Sequence, residues 1–271
     1  MASRFSRGRI IGALVIAAIS LFSYFSMREY NPVTDEMQHI SLDVEQEIAL
    51  GLQAAPELAK QFQGLHPDGT AQARVDAVGR RILTRSAAGT SPWKFDFHLL
   101  ADEKIINAFA LPGGQVFITA ALFNRLGSEG QLAGVIGHEI GHVVARHGAE
   151  HIAKAELTQG LTGAAVLATY DPQNPNGTPQ IAMLIGQLVN MKFGREDELE
   201  SDRLGVRFLA ESGYDPRVLI EVMRILAESS EGGSRPPEFF STHPTHERRV
   251  EQIEAAIAEQ FPNGVPPGLT R

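Results

Sequence analysis

The chain contains no cysteine among its 271 residues. Disulfide bonds and thiolate metal sites are therefore excluded, and a transition metal would have to be bound by histidine and carboxylate ligands. Basic runs are also missing beyond the first ten residues, and the net charge is −8. The chain therefore has no basic patch of the kind that nucleic-acid-binding proteins use, and this charge balance argues against nucleic acid as a partner. Internal repeats and coiled-coil heptads are absent as well, which excludes solenoid and long coiled-coil architectures.

The N-terminal segment combines positive charge with a long uncharged stretch. Three arginines precede residues 10–27, which contain no charged side chain. Two interpretations stay open for residues 1–30: a membrane anchor and a cleaved signal peptide. The anchor is favoured, because Leu21 and Tyr24 stand where a cleavage site needs small residues. In both cases the positive-inside rule places the rest of the chain across the membrane from the cytoplasm.

The remaining sequence predicts one α+β domain, mostly helical, over residues 31–260, with a loose tail over residues 261–271. Residues 93–99 alternate apolar and polar side chains, which is typical of a half-buried strand. Two further short strands, 105–111 and 115–119, flank a Pro-Gly-Gly turn. Helical periodicity occupies residues 41–55, 70–85, 120–126, 128–144, 152–169, 181–193, 195–211, 215–228 and 244–260.

Two of these helical segments, 152–169 and 181–193, are unusually apolar. They flank a stretch rich in proline and asparagine at residues 171–179. Neither segment reaches the roughly 20 apolar residues that a membrane span requires. The pattern therefore predicts a helical hairpin with a mobile loop, placed as a lid over a neighbouring site.

The most informative motif is His138-Glu139-x-x-His142. Residues four apart lie on the same face of a helix, so both imidazoles can reach one metal ion, with Glu139 beside it. Ser128 to Gln131 has the pattern of a capping box at the start of this helix. The arrangement suits zinc, although two histidines four apart also occur by chance on an ordinary amphipathic helix.

A catalytic zinc site needs a third protein ligand and an open position for water. The helix predicted over residues 195–211 carries five acidic residues in its first half. Most acidic side chains on a helix are simply solvated, and composition alone does not choose among these five. They are Glu196, Asp197, Glu198, Glu200 and Asp202.

Several separated motifs together resemble one family. His138-Glu-Ile-Gly-His142 followed by Arg195-Glu-Asp-Glu-Leu-Glu-Ser-Asp202 is similar to the gluzincin zinc metallopeptidases that include HtpX, BepA, LoiP and the type-one CAAX prenyl proteases, peptidase family M48. Residues 107–114 resemble the family's strand and turn before the zinc helix. Residues 241–248 resemble its T-H-P segment, with Arg248 at the final arginine. Short matches at residues 31–41 favour the exported branch that contains LoiP and BepA.

This resemblance implies a zincin-type fold in which a small antiparallel sheet packs on the H-E-x-x-H helix. It implies one zinc ion per chain, bound by His138, His142 and Glu198. Asp202, one turn after Glu198, would orient a ligand histidine. Two departures are small: Gly194 and Ser201 stand where the family often has serine and alanine, respectively.

The implied mechanism is attack of a zinc-activated water on a peptide carbonyl, with Glu139 as general base. His243 and Arg195 are the candidate catalytic donors to the oxyanion. Each also has a plainer interpretation, as a loop-ordering histidine and a surface ion-pair partner. His243 has a further alternative, because a neutral imidazole can bind zinc in the resting enzyme and exclude water. His246 is a weaker rival of His243 for this role. His147 and His151 are expected to lie off the metal.

The sequence therefore predicts a membrane-attached zinc metalloendopeptidase that acts on misfolded or misassembled envelope proteins in the periplasm. The expected partners are protein or peptide substrates and, through the N-terminal segment, a membrane. An extended substrate could pair with an edge strand of the 105–119 hairpin. The alternative is an assembly factor or chaperone for envelope proteins whose zinc site is latent and self-inhibited. A purely structural zinc site is disfavoured, because Glu139 would then have no role.

Overall fold

The computed structural model describes residues 7–169, 192–231, 237–244 and 248–271. Most of these residues are helical and two small sheets accompany them, which confirms the predicted α+β class. In chain order the elements are α1 (Arg7–Ser26), β1 (Arg28–Asn31), β2 (Glu36–His39), α2 (Val44–Gln61), α3 (Gly69–Arg85), a 3-10 turn (Ala87–Thr90), β3 (Asp96–Leu100), β4 (Ala108–Leu111), β5 (Gln115–Thr119), α4 (Ala120–Phe123), α5 (Glu129–Val144), α6 (His147–Thr169), α7 (Arg195–Ser212), α8 (Val218–Glu231), α9 (Phe239–Thr242) and α10 (Arg249–Gln260).

Helix α5, which carries His138 and His142, runs through the core. Ser128 caps it by accepting a hydrogen bond from the backbone N–H of Gln131. The Gln131 side chain accepts from Gly127 instead of closing the predicted capping box. From Gly130 onward nearly all of its side chains are buried, because α3, α7, α8 and the sheet cover it on all sides. A buried helix of this kind holds its side chains in fixed positions.

Close packing between α5 and α7 depends on small residues. A Cβ atom at Gly141 would lie 2.7 Å from Ser201 Oγ and 2.9 Å from its carbonyl oxygen. Gly137 faces Gly205 across the same contact. The Ser201 hydroxyl donates a hydrogen bond to the carbonyl oxygen of His138 at 2.5 Å. The two helices therefore approach closely enough for side chains of α7 to reach the α5 histidines.

The three-stranded sheet has the order β3-β5-β4 and packs against α5. We expected an antiparallel sheet, and this is wrong for one pair: β4 is antiparallel to β5, but β3 is parallel to it. The chain reverses once after β3 and again at the turn between β4 and β5, so β5 regains the direction of β3. Gly113 and Gly114 make the second reversal, with φ angles of 81° and 109°.

The two faces of the sheet bury different clusters. Phe97, Val116 and Ile118 point towards the large cluster that contains α3 and α5. Leu111 and Phe117 point to the other side, where the residues of α2 cover them. Alternate residues of each strand are therefore buried on opposite faces, and the sheet forms a layer between α2 and α5.

The N-terminal helix α1 packs along α6, next to the antiparallel hairpin β1–β2. Several of its large apolar side chains are exposed, including Ile11, Leu14 and Phe22. Within the described ranges, no helix is both long enough and apolar enough to cross a membrane. The predicted lid hairpin is described only as far as the end of α6. Its second segment and loop fall mostly within residues 170–191, which lie outside the described residues.

The C-terminal residues do not form the loose tail that we expected. The backbone N–H of Thr270 donates to the Gly213 carbonyl at 3.0 Å, and Thr270 in turn accepts from Asp215 at 2.9 Å. The Arg271 side chain contacts Glu221 on α8. We expected a loose tail from the proline and glycine content of these residues. That content indicates local conformation and does not predict long-range backbone hydrogen bonds.

Candidate metal centre

Two histidines of α5 converge on one point. His138 and His142 are one helical turn apart, and their Nε2 atoms lie 3.1 Å from each other. Both side chains are 2% exposed. Burial holds the pKa of the His142 imidazole well below its usual range. A neutral imidazole keeps a lone pair available, which is the form that binds a metal ion.

Glu198 of α7 supplies a carboxylate at the same point. Its Oε2 lies 3.5 Å from His138 Nε2 and its Oε1 lies 3.4 Å from His142 Nε2. Burial opposes ionisation, but the surrounding histidines hold the pKa of Glu198 well below its usual range. Glu196 is exposed, while Asp197 accepts a hydrogen bond from the backbone N–H of Gly194 at the start of the helix. Among the acids of this segment, the structure thus brings Glu198 to the two histidines.

His243 joins the same group from the turn after α9. Its Nδ1 lies 2.9 Å from Glu198 Oε1 and 3.4 Å from His138 Nε2. The side chain is fully buried, and its ring stacks on Phe239 with a centroid distance of 4.4 Å. Of the histidines that we expected off the metal, His147 lies behind His142 and His151 pairs with Asp197.

The donor set fits one zinc ion. Tetrahedral ligands at about 2.0–2.1 Å from zinc lie roughly 3.3 Å from one another. The four donor atoms from His138, His142, Glu198 and His243 all lie within 4.8 Å of one another. The individual distances given above run from 2.9 to 3.5 Å, close to the separation expected for ligands of one zinc ion. Three nitrogens and one carboxylate oxygen, with no thiolate, form a ligand set typical of zinc.

Glu139 lies beside this group but is not one of its four donor residues. Its side chain is fully buried, and in the described part of the chain neither carboxylate oxygen has a hydrogen-bond partner. The Oε1 atom lies 3.6 Å from His243 Nε2. Burial raises the pKa of Glu139 above its usual value. A carboxylate of increased proton affinity, with unengaged oxygens next to a metal centre, has the properties of a general base.

Asp202 and Arg249 support the site from behind His138. Asp202 Oδ1 lies 2.9 Å from His138 Nδ1, on the side of the ring opposite the metal centre. Arg249 donates to both Asp202 oxygens, at 2.8 and 2.7 Å, and its Nη1 lies 2.8 Å from Glu198 Oε2. Burial raises the pKa of Asp202, but Arg249 outweighs it and the pKa is lowered. One guanidinium therefore bridges two buried carboxylates.

Sequence reasoning assigned the arginine of this segment one position too early. The side chain of Arg248 is 66% exposed and lies 3.8 Å from Glu251, whereas Arg249 is 2% exposed. The helix α10 begins at Arg249, and this register turns Arg249 inward. Arg195, the other arginine considered for the site, is exposed at the first residue of α7 and lies outside the buried donor group. His246 is outside the described residues.

Phe193 is a further residue that sequence reasoning missed. Its ring stacks on His142 with a centroid distance of 3.9 Å and an interplanar angle of 21°. Its backbone N–H donates to the carbonyl oxygen of Thr242, the residue before His243. Phe193 and His243 therefore cover adjacent sides of the metal centre. No motif marked this phenylalanine, because its role depends on a contact between segments about 50 residues apart.

Comparison with known proteins agrees with this geometry. The chain is 32% identical over 223 residues to the beta-barrel assembly-enhancing protease of Escherichia coli K12, covering 78% of this chain and 43% of that protein. It is 36% identical over 159 residues to the mitochondrial metalloendopeptidase OMA1 of Arabidopsis thaliana, covering 58% of this chain and 31% of that one. It is 29% identical over 257 residues to OMA1 of Schizosaccharomyces pombe, covering 92% and 72%.

The chain spans less than half the length of the bacterial relatives, each of which is longer than this sequence. The matched region nevertheless contains the whole metal centre. The family model for peptidase family M48 matches residues 70–257, which include all four donor residues, Glu139, Asp202 and Arg249. The chain belongs to peptidase family M48.

Proposed function

We propose that this protein is a zinc-dependent metalloendopeptidase. The observation that carries the proposal is the position of Glu139, whose two carboxylate oxygens have no hydrogen-bond partner among the described residues. They lie beside a buried donor group of three histidines and one glutamate. A structural zinc site does not require such a neighbour, whereas peptide hydrolysis requires a base next to the metal.

The proposed mechanism divides the work among residues of the chain. Zinc, when bound, would activate a water molecule and polarise the scissile carbonyl. Glu139 would take the proton of that water and return it to the leaving amine. His138 and Glu198 are fixed by Asp202 and Arg249, so the donor group needs little reorganisation during the reaction. His243, which lies within 3.6 Å of Glu139, has to move for water and substrate to enter together.

An extended polypeptide is the proposed substrate. Strand β4 is an edge strand, and within the described residues it pairs with β5 alone. It also lies against α5, the helix that carries Glu139. A peptide that added to this edge would run alongside the metal centre, with its main chain bound by backbone hydrogen bonds. This mode of binding favours unfolded protein segments over small molecules.

We further propose that the substrates are misfolded or misassembled envelope proteins and that the protein works at a membrane. The E. coli relative is named for enhancing beta-barrel assembly, which supports the choice of substrate. The three arginines among the first nine residues and the exposed apolar side chains of α1 support membrane attachment or export. Fractionation of cells that express the full chain would test this: recovery in the cytoplasmic soluble fraction contradicts it.

A second candidate function is an assembly factor with a latent, self-inhibited zinc site. The observation that favours it is His243, which is buried among the donor atoms and would occupy the position that water needs on the metal. In that case the chain would bind unfolded envelope proteins and cleave none of them. The two candidates differ in one measurable property, the hydrolysis of peptide bonds.

The test is metal analysis of the purified full chain combined with casein digestion. The metalloendopeptidase proposal predicts one zinc per chain, loss of digestion on chelation and recovery when zinc is added back. His98→Ala, which changes a histidine on the α2 side of the sheet, stacked on Phe117, serves as the control and should digest normally. A zinc-loaded chain that digests no casein, even when His243 is replaced by alanine, would favour the assembly-factor function.

A further inference from the structure

Behind His142, on the side away from the metal centre, lies a second buried histidine. His147, the first residue of α6, is 1% exposed, and its Nδ1 lies 2.8 Å from His142 Nδ1. The ring thus touches the one nitrogen of His142 that does not face the donor group. His138 has a carboxylate, Asp202, in the corresponding place.

The contact continues to α7. The Nε2 of His147 lies 3.1 Å from Oε2 of Glu200, a side chain that is 16% exposed. Glu200 lies two residues after Glu198 on the same helix. His142, His147 and Glu200 therefore form a chain of three side chains that runs from the metal centre to the protein surface.

Metal binding fixes the protons along this chain. To bind zinc through Nε2, His142 has to carry its hydrogen on Nδ1. This N–H then donates to Nδ1 of His147, which has to be the unprotonated nitrogen of that ring. His147 accordingly carries its hydrogen on Nε2 and donates to the carboxylate of Glu200. Each hydrogen has one acceptor, and no two lone pairs face each other.

The backbone between the two helices places the ring. Helix α5 ends at Val144 and α6 begins at His147, with Arg146 between them at a φ of 57°. A left-handed conformation is unfavourable for a residue other than glycine and has to be held by its surroundings. Arg146 is held by the buried Glu47 and by the carbonyl oxygen of Leu42. The sharp turn brings His147 back against His142.

We propose that His147 and Glu200 are positioning residues for zinc: they hold His142 in the orientation and tautomer that bind the metal. The inference deepens the proposed function and relies on it only for the identity of the ion. The two ligand histidines of α5 would then be supported differently. His138 contacts the carboxylate of Asp202, which pairs with Arg249. His142 is hydrogen-bonded to the imidazole of His147, which in turn contacts the carboxylate of Glu200.

A plainer role for His147 is to hold α6 against α7. The structure contains a matched case of that role one turn later, where His151 Nε2 lies 2.7 Å from Asp197 Oδ2. That pair bridges the same two helices, and His151 lies off the donor group. His151 is therefore the control that separates docking of the helices from orientation of the ligand.

The experiment measures the zinc affinity of the purified full chain by competition with a chromogenic chelator. His147→Phe, which removes the acceptor and keeps an aromatic ring, should weaken zinc binding about 10–100-fold. His147→Asn, whose side-chain oxygen can accept from His142, should recover most of the loss. His151→Phe should stay within about twofold of the parent.

Substitution with Co2+ gives a second readout. The absorption spectrum of the cobalt-loaded His147→Phe variant should differ from that of the parent, whereas the spectrum of His151→Phe should match it.

Three results would overturn the inference: unchanged affinity in His147→Phe, an equal loss in His151→Phe, or no recovery in His147→Asn. Should His147→Phe fail to fold, as judged by circular dichroism, Glu200→Ala provides the test, because it removes the end of the chain without opening the core. Unchanged affinity in that variant would also overturn the inference. Metal affinity and the cobalt spectrum are read without substrate, so their outcome is independent of whether the chain cleaves peptides.

Discussion

The Nδ1 atom of His243 lies 2.9 Å from Oε1 of Glu198, within the donor group and not beside it. A catalytic zinc site has three protein ligands and keeps its fourth position for water. His243 fills the place of that fourth ligand, and its other nitrogen faces Glu139. The arrangement is that of a closed site, in which the ring of His243 lies between Glu198 and Glu139.

This arrangement predicts that His243→Ala raises basal proteolysis, because water gains access to the metal centre while the three remaining donors stay in place. Casein digestion by the purified variant and the parent, at equal zinc content, measures the effect. His98→Ala is the control for a histidine elsewhere. Reduced digestion would assign His243 to the oxyanion instead, and unchanged digestion would leave it without either role.

The assignment of Glu198 is tested by comparing neighbouring acids. Glu198→Ala should lose zinc binding, since it removes one of the donors on the metal. Glu196→Ala should retain the affinity of the parent, because Glu196 is exposed in the first turn of α7. Chelator competition measures both. Equal losses would indicate general disruption of α7 and would contradict the assignment.

Arg249 is expected to be important for stability because its guanidinium pairs with two buried carboxylates. Arg249→Met would leave Asp202 and Glu198 close together without their counter-charge. Breaking a buried ion pair from one side costs about 3–5 kcal/mol. Arg248→Met is the matched control, and an exposed change of this kind typically alters stability by about 0.5 kcal/mol or less. Urea unfolding of the metal-free chains compares them; similar stability of the two variants would contradict the account.

A pH effect is expected from the loop before β4. Asp102 accepts hydrogen bonds from the backbone N–H groups of Lys104 and Ile105, both at 2.8 Å. Burial raises the pKa of Asp102, but these two donors outweigh it and the pKa is lowered. A lowered folded-state pKa stabilises the protein above the unfolded value of about 3.9, and this contribution is lost as the pH falls through the folded value.

The free energy of unfolding of the parent should therefore exceed that of Asp102→Asn near neutral pH. The difference should shrink as the pH falls below about 4. Denaturant unfolding at a series of pH values measures it. Glu103→Gln, which removes the carboxylate of the exposed neighbouring residue, serves as the control. A difference that stays constant with pH would contradict this explanation.

The sequence predicted those parts of the site whose residues lie close together along the chain. His138 and His142 are four residues apart, so their spacing alone places them on one face of a helix, with Glu139 beside them. Glu198 required the family resemblance, because the first half of its helix carries five acidic residues and the sequence alone does not distinguish them. The structure separates them through burial, which depends on how α7 crosses α5.

The parts that sequence missed depend on contacts between distant segments. Nothing in the sequence pairs His147 with Glu200, which lie 53 residues apart. The parallel pairing of β3 with β5 depends on the path of the loop between the strands, and period-two alternation is the same for both directions. Arg249 was missed by a single position, a difference that the register of α10 decides.

In the proposed mechanism Glu139 transfers the proton in a zinc-dependent peptidase, and the substitution Glu139→Gln removes that function alone. The change keeps the shape of the side chain and removes its ability to accept a proton. The measurement is the rate of casein hydrolysis by parent and variant, with zinc content and thermal unfolding recorded on the same samples. We predict one zinc per chain and an intact fold in both, with kcat lowered by a factor on the order of 100–10,000 in the variant. Hydrolysis at the parental rate by a zinc-loaded variant would contradict the account.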